Sequence, residues 1–150
     1  MNVKKFKYQE FIDLYPNCPP NTYKEVTIKA FRWAFPECDE DSFKPVLVIN
    51  PKRQLSTDDM KCMGYALSMF ESEKGAFERY KKLVYARPEL KETYGTIIAE
   101  LDISINDGLV SALGQDKYTH FSFHEYEGIA LSKKVINIAQ IFKENGDFKE

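Results

Sequence analysis

The chain has 150 residues, with 21 basic and 23 acidic side chains and a formal net charge of −2. Hydrophobic residues make up 43% and aromatics 14%, enough for a single packed core, which excludes a wholly disordered chain. The charges are mixed without a basic block, so no nucleic-acid partner is expected. No run approaches the ~18 apolar residues of a membrane span, so no membrane association is expected either.

In chain order, Tyr8, Phe11, Ile12 and Tyr15 fall at helical spacing and predict an amphipathic helix over 4–15, ended by Pro16. PNCPPN (16–21) reads as a stiff loop. It divides an N-terminal segment, 1–21, from a main body, 22–150, within one globular domain. TIKAFRWAF (27–35) has the composition of a strand. Alternation puts Phe31, Trp33 and Phe35 on one face and Ala30, Arg32 and Ala34 on the other. PVLVIN (45–50) reads as a buried strand or extended segment. Ser56, with Asp59 three residues on, resembles a capping box for a short helix over 57–63, broken by Gly64.

A strand is expected over 65–70, a helix continuing to Met69 being the alternative. Ser72 then supplies an N-cap for a helix whose buried stripe is Ala76, Phe77, Tyr80, Leu83 and Val84. Pro88 and Gly95 delimit another short helix. TIIAELDIS alternates as a half-buried strand and NDG (106–108) turns the chain. YTHFSFHEYE (118–127) is strongly β in composition. The tail from Ser132 fits a helix, or a short strand first.

Among chemistry-bearing residues, Cys18, Cys38 and Cys62 are odd in number and include no CxxC, which points to reduced thiols in a cytoplasmic protein. The opening MNVKKFKYQEF lacks an apolar h-region, so a soluble protein is expected. His120 and His124 share a face of their strand, but their backbones stand ~13 Å apart. One ion needs both imidazole nitrogens ~2.1 Å away, so no metal is expected. No P-loop, GxGxxG or G-x-S-x-G elbow is present. Glu125 and Glu127 fall in the alternation of Phe121 and Phe123, on the apolar face. The alternative ends the strand near His124 and leaves both in a solvated turn. Arg32 either snorkels to the surface over Ala30 and Ala34 or stands in a cleft and binds an anion.

Arg32 on an early strand, Ser68 on a later strand followed by a helix, and Glu125-Tyr126-Glu127 beyond it resemble the R–S–E plan of the ADP-ribosyltransferase-like superfamily. GYALSMFESEKGAFERYKKL leading to GTIIAELDIS is similar to the part of those folds where a strand feeds a helix and returns as a strand. The resemblance covers roughly residues 27–130. It implies NAD as substrate. Arg32 would hold the pyrophosphate, Ser68 would orient the ribose, and Glu127 would be the key carboxylate with Glu125 assisting. The protein would be a toxin or defence effector that transfers or hydrolyses ADP-ribose, acting on a protein acceptor. Only Ala66-Leu67-Ser68 stands where the family has S-T-S. The NAD-using reading predicts that Arg32, Ser68 and Glu127 converge in one cleft; side chains facing different sides of the sheet would sink it on those residues.

The expected fold is an α+β domain with a mixed, mainly antiparallel sheet flanked by helices. The competing functional reading is a non-catalytic protein–protein interaction or assembly domain presenting its aromatic residues to a partner.

Overall fold

The computed structural model describes residues 4–149. Residues 1–3, where the expected N-terminal segment begins, and residue 150 lie outside it. Strands β1 (Ile28–Ala34), β2 (Leu67–Phe70), β3 (Ile97–Ile103), β4 (Gly108–Val110), β5 (His120–Glu125) and β6 (Val135–Gln140) form one sheet. Their order is β4-β5-β2-β1-β3-β6, and every pairing is antiparallel. Helices are α1 (Gln9–Ile12), α2 (Val46–Ile49), α3 (Asp58–Met63), α4 (Glu73–Ala86) and α5 (Leu90–Tyr94). The domain is α+β. Among the described residues no helix is long and apolar enough to cross a membrane.

The sheet consists of two three-stranded halves that meet at a narrow seam. β1 and β3 stay in register from Ile28 to Ala34, and β2 and β5 from Leu67 to Phe70. Across the seam, β1 and β2 are paired only at Phe31 and Phe70.

Alternation along each strand builds two cores. On one face α4 lays Ala76, Tyr80 and Val84 against Phe70 and Ile98, with Phe31 and Trp33 at the margin. The Trp33 indole N–H donates to the Ala76 carbonyl at 2.8 Å, so the β1 aromatics serve the core. On the other face Ala30, Met69, Leu101 and Phe121 are closed over by Phe43 and Leu131. These two come from 3-10 turns at Glu40–Phe43 and Leu131–Lys134. Each large apolar side chain buried this way contributes about 2 kcal/mol.

The ends of α4 and α5 follow local chemistry. The Ser72 hydroxyl accepts from the Gly75 N–H at 3.0 Å, capping α4. Gly95 closes α5 at φ 83°, where a Cβ would sit 2.0 Å from the Ala34 carbonyl oxygen, so only glycine fits. The Tyr80 hydroxyl donates to the Gly95 carbonyl from within the core at 2.6 Å.

Several expectations need correction. The first helix is a single turn, Gln9–Ile12, because the residues before it extend along the sheet: Phe6 bridges Tyr126 and the Lys7 N–H donates to the Glu125 carbonyl. PVLVIN is helical in α2, with Pro45 at its N-cap; only Leu47 is buried, and Ile49 is 63% exposed. A short apolar run carries no period that separates these cases. Thr57, not Ser56, caps α3, accepting from the Met60 N–H. The tail takes the strand alternative as β6. Cys18 and Cys62 are joined in a disulfide, so they are not the reduced thiols expected; Cys38 is free. The bond ties the N-terminal segment to α3.

Candidate active site

Arg32 leaves β1 between Ala30 and Ala34, on the face that carries Phe121, Phe123 and, by alternation, Glu125. Its Nε donates to the Ser42 carbonyl at 2.8 Å and its Nη1 to the Ser68 carbonyl at 2.7 Å. The second bond spans the seam where β1 and β2 part. Burial lowers the guanidinium pKa to about 10, and the Glu125 charge pulls it back up. The snorkelling alternative fails because the head group is fastened to two main-chain carbonyls.

Glu125 is the last residue of β5 and only 3% exposed. Among the described residues neither of its carboxylate oxygens has a hydrogen-bond partner. Lys7 Nζ stands 3.5 Å from Oε2 and bridges onward to Glu40 at 3.6 Å. Burial pushes the carboxyl pKa up to about 7, with Lys7 and Arg32 pulling it down and Glu40 adding to the rise. Tyr8 lies close enough to feel Glu125, Glu40 and Arg32; burial is the main reason its phenol pKa rises to about 12. Arg32, Glu125, Tyr8, Lys7 and Glu40 thus form one polar cluster against an apolar core. A carboxyl that titrates near neutrality can hold or release a proton at physiological pH.

The other expected residues lie elsewhere. The Ser68 hydroxyl is exposed on the opposite face, 2.5 Å from His120 Nε2. It meets Arg32 only through its main-chain carbonyl. Glu127 is exposed in the turn after β5, its N–H bonded to the Lys5 carbonyl. The side chains of Arg32, Ser68 and Glu127 therefore do not converge, which sinks the expected three-residue constellation; Arg32 and Glu125 do share a face. The strand continues to Glu125, because Phe6 prolongs the pairing at Tyr126, and then turns, which separates the fates of the two glutamates.

Two features escaped the sequence reading. The Ser68–His120 pair joins residues 52 positions apart, brought diagonal to one another by the β2–β5 register. Burial lowers the His120 pKa, while Asp116 opposes that shift. Tyr8 reaches the cluster because residues before α1 follow the end of β5, which nothing local in the sequence signals. His124, on the His120 face, is 2% exposed and turned towards Cys62. Burial alone drops its pKa to about 4.

No protein-family model matches the chain, and searches of curated proteins and of solved structures return no match. The functional reading rests on the residues themselves.

Proposed function

We propose that this domain binds NAD and cleaves the nicotinamide–ribose bond, passing ADP-ribose to an acceptor or to water, with Glu125 as the carboxylate and Arg32 as a partner of the pyrophosphate. The observation that carries the reading is Glu125, buried with both carboxylate oxygens unpaired by hydrogen bonds among the described residues. Burying this carboxylate with only the Lys7 ion pair at 3.5 Å is costly, and a ligand that completes its bonding would offset that cost. Breaking the glycosidic bond develops oxocarbenium-like positive charge on the ribose, which a nearby carboxylate in a dry site stabilises. The departing electron pair leaves with nicotinamide. The attacking hydroxyl bonds to the ribose carbon, and its proton passes to the carboxylate.

Arg32 has N–H donors beyond the two that hold Ser42 and Ser68. In this reading Ser68 acts through its carbonyl, fixing Arg32, and Glu127 takes no direct part. Lys7 and Tyr8 lie against the pair, so NAD reaches it only if these two side chains move aside.

The test is NAD titration calorimetry with an assay of nicotinamide release. Saturable binding by the wild type, with Glu125→Gln retaining binding and losing ~100-fold or more in release, is the expected result. A folded wild type that binds no NAD at millimolar concentration would refute the reading.

A second reading, a non-catalytic interaction domain, is favoured by the aromatic surface near α1. Phe11 stacks on Tyr65 with ring centres 5.4 Å apart, and Tyr15 on the same ring at 6.4 Å. Leu14, on the same segment, is 71% exposed. Self-association in light scattering that Phe11→Ser abolishes would support it.

A further inference from the structure

We propose that Cys18, Cys62 and His124 form a zinc(II) site when the two cysteines are reduced. The three residues come from the loop after α1, from α3 and from β5. Their ligand atoms (two Sγ and one imidazole nitrogen) all lie within 4.8 Å of one another. The inference does not depend on the reading of Arg32 and Glu125.

The imidazole is the observation that points to a ligand. His124 is 2% exposed, and Cys62 Sγ, 3.8 Å from Nε2, is its hydrogen-bonding neighbour among the described residues. The rings of Phe6 and Tyr23 flank it with centroids 6.3 and 5.8 Å away. A buried imidazole aimed at sulfur is poorly satisfied, since sulfur is a weak hydrogen-bond partner.

Metal geometry suits this arrangement. With zinc–sulfur bonds of ~2.3 Å and zinc–nitrogen bonds of ~2.1 Å, tetrahedral coordination separates sulfur from nitrogen by about 3.6 Å. The observed 3.8 Å between Cys62 and His124 is already close to that. Two thiolates on one zinc stand about 3.8 Å apart, a separation the sulfurs can take once the bond between them is broken. Two thiolates and an imidazole favour zinc over magnesium or calcium, which prefer oxygen. Three protein ligands leave the fourth position to water.

The chemistry balances with a dithiol as reductant. Two electrons and two protons pass from the dithiol to the Cys18–Cys62 disulfide, giving two thiols and an oxidised, cyclic disulfide product. Zinc(II) then displaces both thiol protons and binds two thiolates and the neutral imidazole, releasing two protons to solvent. The N-terminal segment stays tied to α3 in both states, by sulfur–sulfur bonding in one and through the metal in the other.

The experiment uses the full chain, reduced with dithiol and desalted without oxygen, beside the oxidised chain. Each is mixed with zinc chloride, freed of excess metal by gel filtration, and assayed for zinc by mass spectrometry. The expected result is one zinc per reduced chain and none per oxidised chain, with His124→Gln weakening affinity tenfold or more. Cobalt(II) in place of zinc should give the reduced wild type intense visible bands of a tetrahedral sulfur–nitrogen site, a readout independent of how any variant folds. Equal zinc on oxidised and reduced chains, no retained zinc on the reduced chain, or octahedral cobalt bands would each overturn the proposal.

Discussion

The guanidinium of Arg32 donates to the main-chain carbonyl of Ser68, 36 positions along the chain, beside the one pair that joins the two halves of the sheet. Where β1 and β2 stop pairing, a side chain takes over from the ladder. A second bond from the same guanidinium, to the Ser42 carbonyl, fastens the 3-10 turn that covers the core.

Replacing Arg32 should therefore destabilise the protein whatever its activity. Arg32→Met keeps the stem and deletes both charge-assisted bonds, leaving two carbonyls to find other donors. The expected loss is about 3 kcal/mol, read as a lower urea midpoint with an unchanged slope. A midpoint equal to wild type would show that the seam holds without the guanidinium.

Glu125 and His124, consecutive on β5, oppose one another in pH dependence. Glu125 has a folded pKa of about 7, above its ordinary 4.5. Its contribution is fully present below about pH 4.5 and is lost as pH rises to about 7. His124 is depressed to about 4 from 6.5. Its contribution is present above about pH 6.5 and is lost as pH falls to about 4. Each displacement corresponds to about 3 kcal/mol. In the oxidised, metal-free chain the two nearly cancel, so the change between pH 4.5 and 6.5 should be the modest rise contributed by His120, whose pKa burial also lowers. Glu125→Gln removes one limb, and its stability should rise with pH across that interval by about 3 kcal/mol more than that of the wild type. Denaturation of both proteins at several pH values checks this, and a flat profile for the variant contradicts it.

Reduction without added metal should loosen the N-terminal segment. The Cys18–Cys62 bond spans a sequence separation of 44, and closing a loop of that length in the unfolded chain is worth ~4 kcal/mol in the chain-entropy account. Dithiol should lower the unfolding midpoint by a corresponding amount, and Cys18→Ser should do the same without dithiol. Identical midpoints with and without reductant would show that the bond contributes nothing.

Gly75 reverses a familiar rule. In the first turn of a helix, glycine to alanine ordinarily stabilises, because alanine is the better helix former by ~1 kcal/mol. Here the added Cβ would lie 2.0 Å from the Tyr118 carbonyl oxygen and 2.6 Å from the Thr119 hydroxyl. Gly75→Ala should destabilise by about 2 kcal/mol, because α4 must shift from the loop before β5. Thermal unfolding decides it, and a raised melting temperature would show that the loop yields freely.

Much of the architecture is local in origin. The period-two alternation of β1, β3 and β5, the stripe of α4 and the Ser72 cap were legible because each depends on residues within a few positions. The same alternation offered both Glu125 and Glu127 on the apolar face beside Phe121 and Phe123, against a solvated turn for both; the tertiary structure divides them, burying Glu125 and exposing Glu127. What only the tertiary structure decided is which distant atoms meet: Arg32 with the Ser68 carbonyl, Ser68 with His120, and Cys18 with Cys62 beside His124. It also decided that the chain before α1 follows β5 and leaves a single helical turn. The physical reason is that side-chain period reports which face is buried, whereas contacts between residues 36 to 62 positions apart depend on strand order and register, set by the packing of the whole domain.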